Sequence, residues 1–236
     1  MITLARQVGA TGFPRRALKI ARKVDAAATA AFGAGDWTTL GARFEVAVWT
    51  READGAAAGA ERFAELIRQV EQLEAPPGLI ADSMANLAEC LSESGDHTRA
   101  IQASEDAINL TQQLYGDTHA RVLRKRLTHA QVVGSSGNHQ TAADLSGHLA
   151  DECAEIIGES HLTTLESRLA AARWTAAGGD HAGATRRYEA LLADLARVLN
   201  DDHWLAHQCR KKLAELKEQP RPLPRNEPAP GARPES

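Results

Sequence analysis

Histidine is the first residue type here that invites a chemical reading, and the 236-residue chain has nine. Six fall in two registers, each with a spacing of 42 residues: His119, His161 and His203 in one, His97, His139 and His181 in the other. Imidazoles serve as metal ligands or general bases, but a metal needs every ligand within about 2 Å of one ion. Equivalent positions in a stack of helices are about 10–20 Å apart. The six therefore read as turn and helix-start residues rather than as one site. His203 and His207 stand at i and i+4, which puts two ligands on one helix face. No Glu follows the first of them as a base, and no third ligand is in sight, so no metal site is expected.

Other chemistries fare no better. Cys90, Cys153 and Cys209 are scattered singly, an odd number with no paired spacing, which implies a reducing compartment and a cytoplasmic location. The serines fall mainly at helix starts, and no nucleophile elbow, Walker loop or dinucleotide fingerprint occurs. No catalytic residue and no cofactor is expected, and the chain does not read as an enzyme. Were a site hidden in a groove, His129, Glu166 and Arg173 would be the place for it. The most basic stretch is Arg121, Arg124, Lys125 and Arg126. Arg126 stands seven residues past its marker histidine, as do Arg43, Arg168 and Arg210 past theirs (Asp36 serving for the first). That recurrence predicts a structural role, with each stem packed between helices and each head reaching an acid. With a net charge of −4 and a pI near 6.1 there is no basic field to attract nucleic acid. No apolar run reaches bilayer length and Met1–Arg6 is no signal peptide, so no membrane partner is expected.

The elements that carry these residues follow from the period. Gly116-Asp117-Thr118-His119 returns as Gly158-Glu159-Ser160-His161 and as Asn200-Asp201-Asp202-His203. In step with it run Gly95-Asp96-His97, Gly137-Asn138-His139 and Gly179-Asp180-His181. Gly33–Leu40 matches Gly158–Leu165, and Trp49 then matches Trp174 at an offset of 125, one short of three periods. The irregular loop Ala53-Asp54-Gly55 lies in the interval that absorbs the difference. Each period predicts two helices. The first glycine ends one helix in a left-handed conformation, which Asn200 would also tolerate. Thr118, Ser160 and Asp202 are the expected N-caps of the next. Asp96, Asn138 and Asp180 open its partner, and Pro76-Pro77 replaces glycine and cap in the irregular repeat. Hydrophobic residues make up 43% and aromatics 4%, which predicts an Ala- and Leu-rich interior of closely approaching helices. Small residues at one position of every second helix (Ala17, Gly59, Ala100, Ala142, Ala184) fit that reading.

This pattern resembles the tetratricopeptide repeats of the longer, kinesin-light-chain-like type found in many bacterial proteins. The residues that carry the likeness are Asn86-Leu87-Ala88, Gly95-Asp96 with Ala100, and Arg173-Trp174 through Gly179-Asp180 with Ala184 and Tyr188. The resemblance spans residues 1–217. It implies an all-α, right-handed α-solenoid of stacked antiparallel helix hairpins, and a concave groove lined by the first helix of each hairpin. In such repeats asparagines on the first helices clamp a bound peptide's main chain. Here Asn86 alone holds such a position; its equivalents are Glu45, Thr128, Ala170 and Lys212.

The expected organisation is a half-repeat over 1–32, repeats starting near 33, 74, 116 and 158, a final helix over 202–217, and a disordered Pro-rich tail over 218–236. The start reads as the middle of a hairpin, which leaves an N-terminal end through which copies could self-associate. Neighbour spacing on the first helices places Phe44, Asp82, Asn86, Glu89, Arg124, Thr128, Gln131, Glu166, Arg173 and Lys211 along the groove. Its charge shifts from acidic in the second repeat to mixed and basic in the third and fourth. The expected function is a non-catalytic module that holds a protein or peptide partner, in a regulatory or scaffolding role. The alternatives are a detached sensor part of a transcriptional regulator, an enzyme, and a fragment of a longer repeat protein.

Overall fold

The computed structural model describes residues 2–73, 77–198 and 203–218, which form helices and no strand. The helices are α1 (Ile2–Ala10), α2 (Pro14–Phe32), α3 (Trp37–Asp54), α4 (Ala56–Gln72), α5 (Pro77–Glu93) and α6 (His97–Tyr115). They continue with α7 (Ala120–Ser135), α8 (His139–Ile157), α9 (Leu162–Ala177), α10 (His181–Val198) and α11 (Trp204–Glu218). Each helix packs on the next, and odd-numbered helices also touch one another in order, α1 to α3 and so on to α11. No two even-numbered helices approach in this way. The odd helices are therefore the inner row of an α-solenoid and the even ones its outer row. None of the described helices is long and apolar enough to cross a membrane.

Small residues permit this closeness. Ala17, Ala100, Ala142 and Ala184 are fully buried, and a Cβ on Gly59 would meet Arg51 Cβ at 2.6 Å. The interior is a string of clusters rather than one centre. Leu40, Leu66, Val70 and Leu79 join α3, α4 and α5, while Leu165, Tyr188, Leu191 and Leu205 join α9, α10 and α11. Stability of this kind is a sum of neighbour interfaces. Two of those interfaces hold an indole against glycine. A Cβ on Gly9 would lie 1.9 Å from Trp49 Cη2, and one on Gly134 would lie 2.3 Å from Trp174 Cε2.

The helix ends correct the expected capping. Thr118 and Ser160 are not the caps. The histidine that follows each is, with His119 Nδ1 accepting from Arg121 N–H at 3.1 Å and His161 Nδ1 from Thr163 N–H at 3.2 Å. His203 Nδ1 accepts from Leu205 N–H in the same manner at 3.3 Å, and Asp36 does so for Thr38. An imidazole nitrogen, unprotonated, substitutes for the usual carboxylate or hydroxyl acceptor. Asp96 and Asp180 cap as expected, while the Asn138 amide turns to the Ser136 hydroxyl. The first marker glycines are not in the left-handed helical region. Gly33, Gly116 and Gly158 have φ of 81–97° with ψ of 153–168°, a region that glycine alone enters readily. Pro76, Asn200, Asp201, Asp202 and the tail from 219 lie outside the described residues.

The recurrent arginines bridge the two rows as their periodicity predicts. Arg43 donates to Gln69 at 2.8 Å, Arg126 to Glu152 at 2.5 Å and Arg168 to Asp194 at 3.0 Å, each partner 26 residues downstream on the outer helix.

Candidate functional site

The inner row carries the polar residues that the spacing selects, and most of its charges face each other across consecutive repeats. Arg6 on α1 binds Glu45 on α3 (Nε to Oε1 2.8 Å), and Arg51 on α3 binds Glu89 on α5 at 2.6 Å as well as Glu93. Lys125 and Arg121 on α7 reach back to Asp82 on α5 at 2.7 and 3.4 Å, and Arg124 pairs with Glu166 on α9. The sequence separations are 38 to 43 residues, one repeat apart in every case. The result is a ladder of ion pairs, with most rungs partly exposed.

Six of the ten expected groove residues come together. Glu89, Arg124, Thr128, Gln131, Glu166 and Arg173 line one cleft of about 250 Å³ between α5, α7, α9 and α11. Its apolar wall is Leu127, Leu169 and Ala170, with Trp204 at the α11 side. Phe44 and Asp82 belong to a second cleft of about 440 Å³ nearer the N-terminus, where Phe44 meets Phe63 edge-on at 5.6 Å. Asn86 turns inward and donates to the Asp82 carbonyl of its own helix at 2.9 Å. Lys211 lines neither cleft; Lys212, one residue on, lines the first.

Two groups in the first cleft lack a hydrogen-bonding or ionic partner among the described residues. The Arg173 guanidinium forms no ion pair there and lies 4.1 Å from the centroid of the Trp174 ring, a cation–π contact. Tyr188 is 1% exposed, and its hydroxyl has no hydrogen-bond partner among those residues. Burial pushes the Tyr188 phenol up to about 12, so at neutral pH it is a proton donor. A neutral donor beside an unpaired cation suits an anionic acceptor such as a carboxylate. Tyr188, Trp204, Gln208 and Lys212 complete the cleft and were not among the expected groove residues. Tyr188 comes from an outer helix, which groove spacing on the first helices does not address. Trp204 is the first residue of α11, and Trp37 stands in the same place on α3, a match visible in the sequence.

The three residues expected to mark a hidden site do not come together. His129 lies against α6, where its Nδ1 is 2.8 Å from the Ser104 hydroxyl, away from Glu166 and Arg173, and burial lowers its pKa. Cys90, Cys153 and Cys209 are buried, and burial pushes each thiol up to about 11, far from the thiolate a nucleophile requires. Among the described residues no group of three or more His, Cys, Asp or Glu is placed to hold a metal.

Comparison with known proteins places this arrangement. A tetratricopeptide-repeat family model matches residues 79–149. A kinesin-light-chain-like protein from Podosopora anserina, with nearly identical TPR-like repeats, has an 18% identical sequence and a TM-score of 0.67, over 83% of this chain and 93% of its own. BtubC (BKLC) from P. vanneervenii is 14% identical with a TM-score of 0.60, over 98% of both chains. No curated protein matches the sequence.

Proposed function

We propose that this tetratricopeptide-repeat solenoid is a non-catalytic interaction module, regulatory or scaffolding in role, that holds a protein or peptide segment on its inner face. The fold generally mediates protein–protein contact, and the inner face offers a ready cleft. The observation that carries the reading is the Arg173–Tyr188 pair. Its neighbours Arg124, Lys125 and Arg51 all have carboxylate partners, whereas Arg173 and the buried Tyr188 hydroxyl have none among the described residues. An acidic side chain of the partner, seated between them, satisfies both. The flanking Trp204 and Leu169 supply apolar contact. The same pairing leaves the inner row without a continuous basic stripe, which favours a protein over a nucleic-acid ligand.

The test uses an array of acidic and neutral peptides against the intact chain, Arg173→Lys and Arg173→Glu, with helicity checked by circular dichroism. A central anchor of this kind contributes about 2 kcal/mol or more, so charge reversal should weaken binding at least about 30-fold. Peptides retained equally by Arg173→Glu would sink the assignment.

A further inference from the structure

In a stack of hairpins one edge gathers the loops that lead from each outer helix to the next inner one, and the opposite edge gathers the turns within hairpins. The two edges are equivalent in geometry and opposite in composition. The turns within hairpins are built of glycine, aspartate, serine and asparagine, and Phe13 is the one large exposed hydrophobic residue there among the described residues. The other edge carries Phe32 and Trp37, then Leu73, Tyr115, Leu162 and Trp204, 42–62% exposed, with at least one at each of five loop regions in turn. Isolated exposed hydrophobics need no explanation, but a row along one edge does. At its N-terminal end the row opens into the 440 Å³ cleft, whose walls include Trp37, Phe44, Leu79 and Tyr115. The described loops between these rungs, 33–36, 116–119 and 158–161, contain Asp36, Asp117 and Glu159 and neither Lys nor Arg. Arg126 and Arg168 approach Asp117 and Glu159 from the protein side, yet the two acids remain 73% and 69% exposed.

We infer that this loop edge is a second docking surface, sharing only Trp204 with the inner cleft, and that its occupant is a basic amphipathic helix of a partner protein. The spacing selects a helix. Equivalent positions on neighbouring inner helices are at least one helix diameter, about 10 Å, apart, and seven residues of α-helix rise about 10.5 Å. An apolar residue in every heptad thus meets successive rungs, and five rungs call for about four heptads. The loop acids select Lys and Arg at the flanking positions of that helix. Its largest apolar side chain enters the cleft at Trp37 and Tyr115. The inference does not depend on what the inner face holds.

The probe is a fluorescein-labelled 28-residue peptide of four heptads, with Leu on one face and Lys and Arg beside it, read by anisotropy against the full chain. An isomer with Glu in place of Lys and Arg is the control. Two variants keep the test independent of folding: Trp37→Ser/Leu73→Ser/Leu162→Ser, which removes only side chains of the exposed row, and Asp117→Lys/Glu159→Lys, which leaves the apolar row intact. Each should weaken the basic peptide at least tenfold, Arg173→Glu should leave its binding unchanged, and the acidic isomer should not bind. Equal binding to intact chain and edge variants overturns the proposal, as does failure of the intact chain to bind at 100 µM, a concentration chosen as roughly tenfold above a weak helix-in-groove affinity. Sedimentation equilibrium is run in parallel. A dimer that dissociates in the triple variant and resists the peptide would assign the edge to a second copy and overturn the stated occupant.

Discussion

Replacing Gly134 by alanine should unfasten the seam between α7 and α9. Gly134 is helical, so intrinsic propensity alone favours alanine by about 1 kcal/mol. Against this, the new Cβ would lie 2.3, 2.4 and 2.5 Å from three atoms of the Trp174 indole. The ring is rigid and 7% exposed, its face is stacked on His139 at 5.8 Å, and Arg173 lies over it, so no small torsion clears the contact. Overpacking of a tight core costs about 1–3 kcal/mol, and expelling a tryptophan altogether about 3–5. A partial displacement of the indole falls between these limits, so the net loss should be about 2–3 kcal/mol. Urea unfolding followed by circular dichroism measures it. Gly41→Ala is the matched control: it too is helical, a Cβ there meets nothing within 4 Å, and it should gain about 0.5–1 kcal/mol. In the Gly134→Ala background, Trp174→Leu should cost much less than it does in the intact chain, the signature of direct coupling. If Gly134→Ala is as stable as the parent, or moves in the same direction as Gly41→Ala, the seam is not what holds these helices together.

Other perturbations test separate contacts. Glu45 is 3% exposed and Arg6 is its ion-pair partner, so Arg6→Ala strands a buried carboxylate. Removing one member of a fully buried pair costs about 3–5 kcal/mol; because Arg6 is itself largely exposed and water can follow, about 1–2 is expected, read as an earlier loss of α1 protection in hydrogen exchange. His129 has its pKa lowered by burial below the ordinary 6.5, so the unfolded chain binds the proton more readily than the folded one. Its contribution is present above pH 6.5 and is lost as pH falls below that value. The melting temperature should decline on acidification from pH 7 to 5, and by less in His129→Gln; identical pH profiles would refute it.

The repeat was legible because its markers act locally. A glycine at a helix end with φ near 90° and a cap two residues before a free N–H announce themselves whatever surrounds them. The cap was assigned one residue early, to Thr118 and Ser160, because hydroxyls are the commoner acceptors; only the geometry shows imidazole nitrogen in that role. The recurrence of Arg43, Arg126 and Arg168 disclosed their bridging, since both partners obey the period. The groove face was legible as a list and illegible as a site. Spacing placed Glu89, Arg124, Glu166 and Arg173 on one surface, but which of them neutralise each other depends on how far consecutive repeats rotate. In the folded chain Arg124 takes Glu166, and Arg173 is left without an ion pair among the described residues. Tyr188 stayed hidden because it reaches the cleft from the outer row.

The ladder of ion pairs has a mechanical consequence. Its rungs tie the inner helices together, while the outer helices make no such direct contact with one another. A stack fastened along one side is an arched spring with its tension members on the inside. Straightening it stretches every strut at once, and tightening it stretches none. Part of its stiffness against straightening therefore resides in solvent-accessible charges, whose attraction fades over a Debye length of about 8–10 Å at ordinary ionic strength. Added salt should therefore soften such a spring on its inner side and leave the packed outer row as it was.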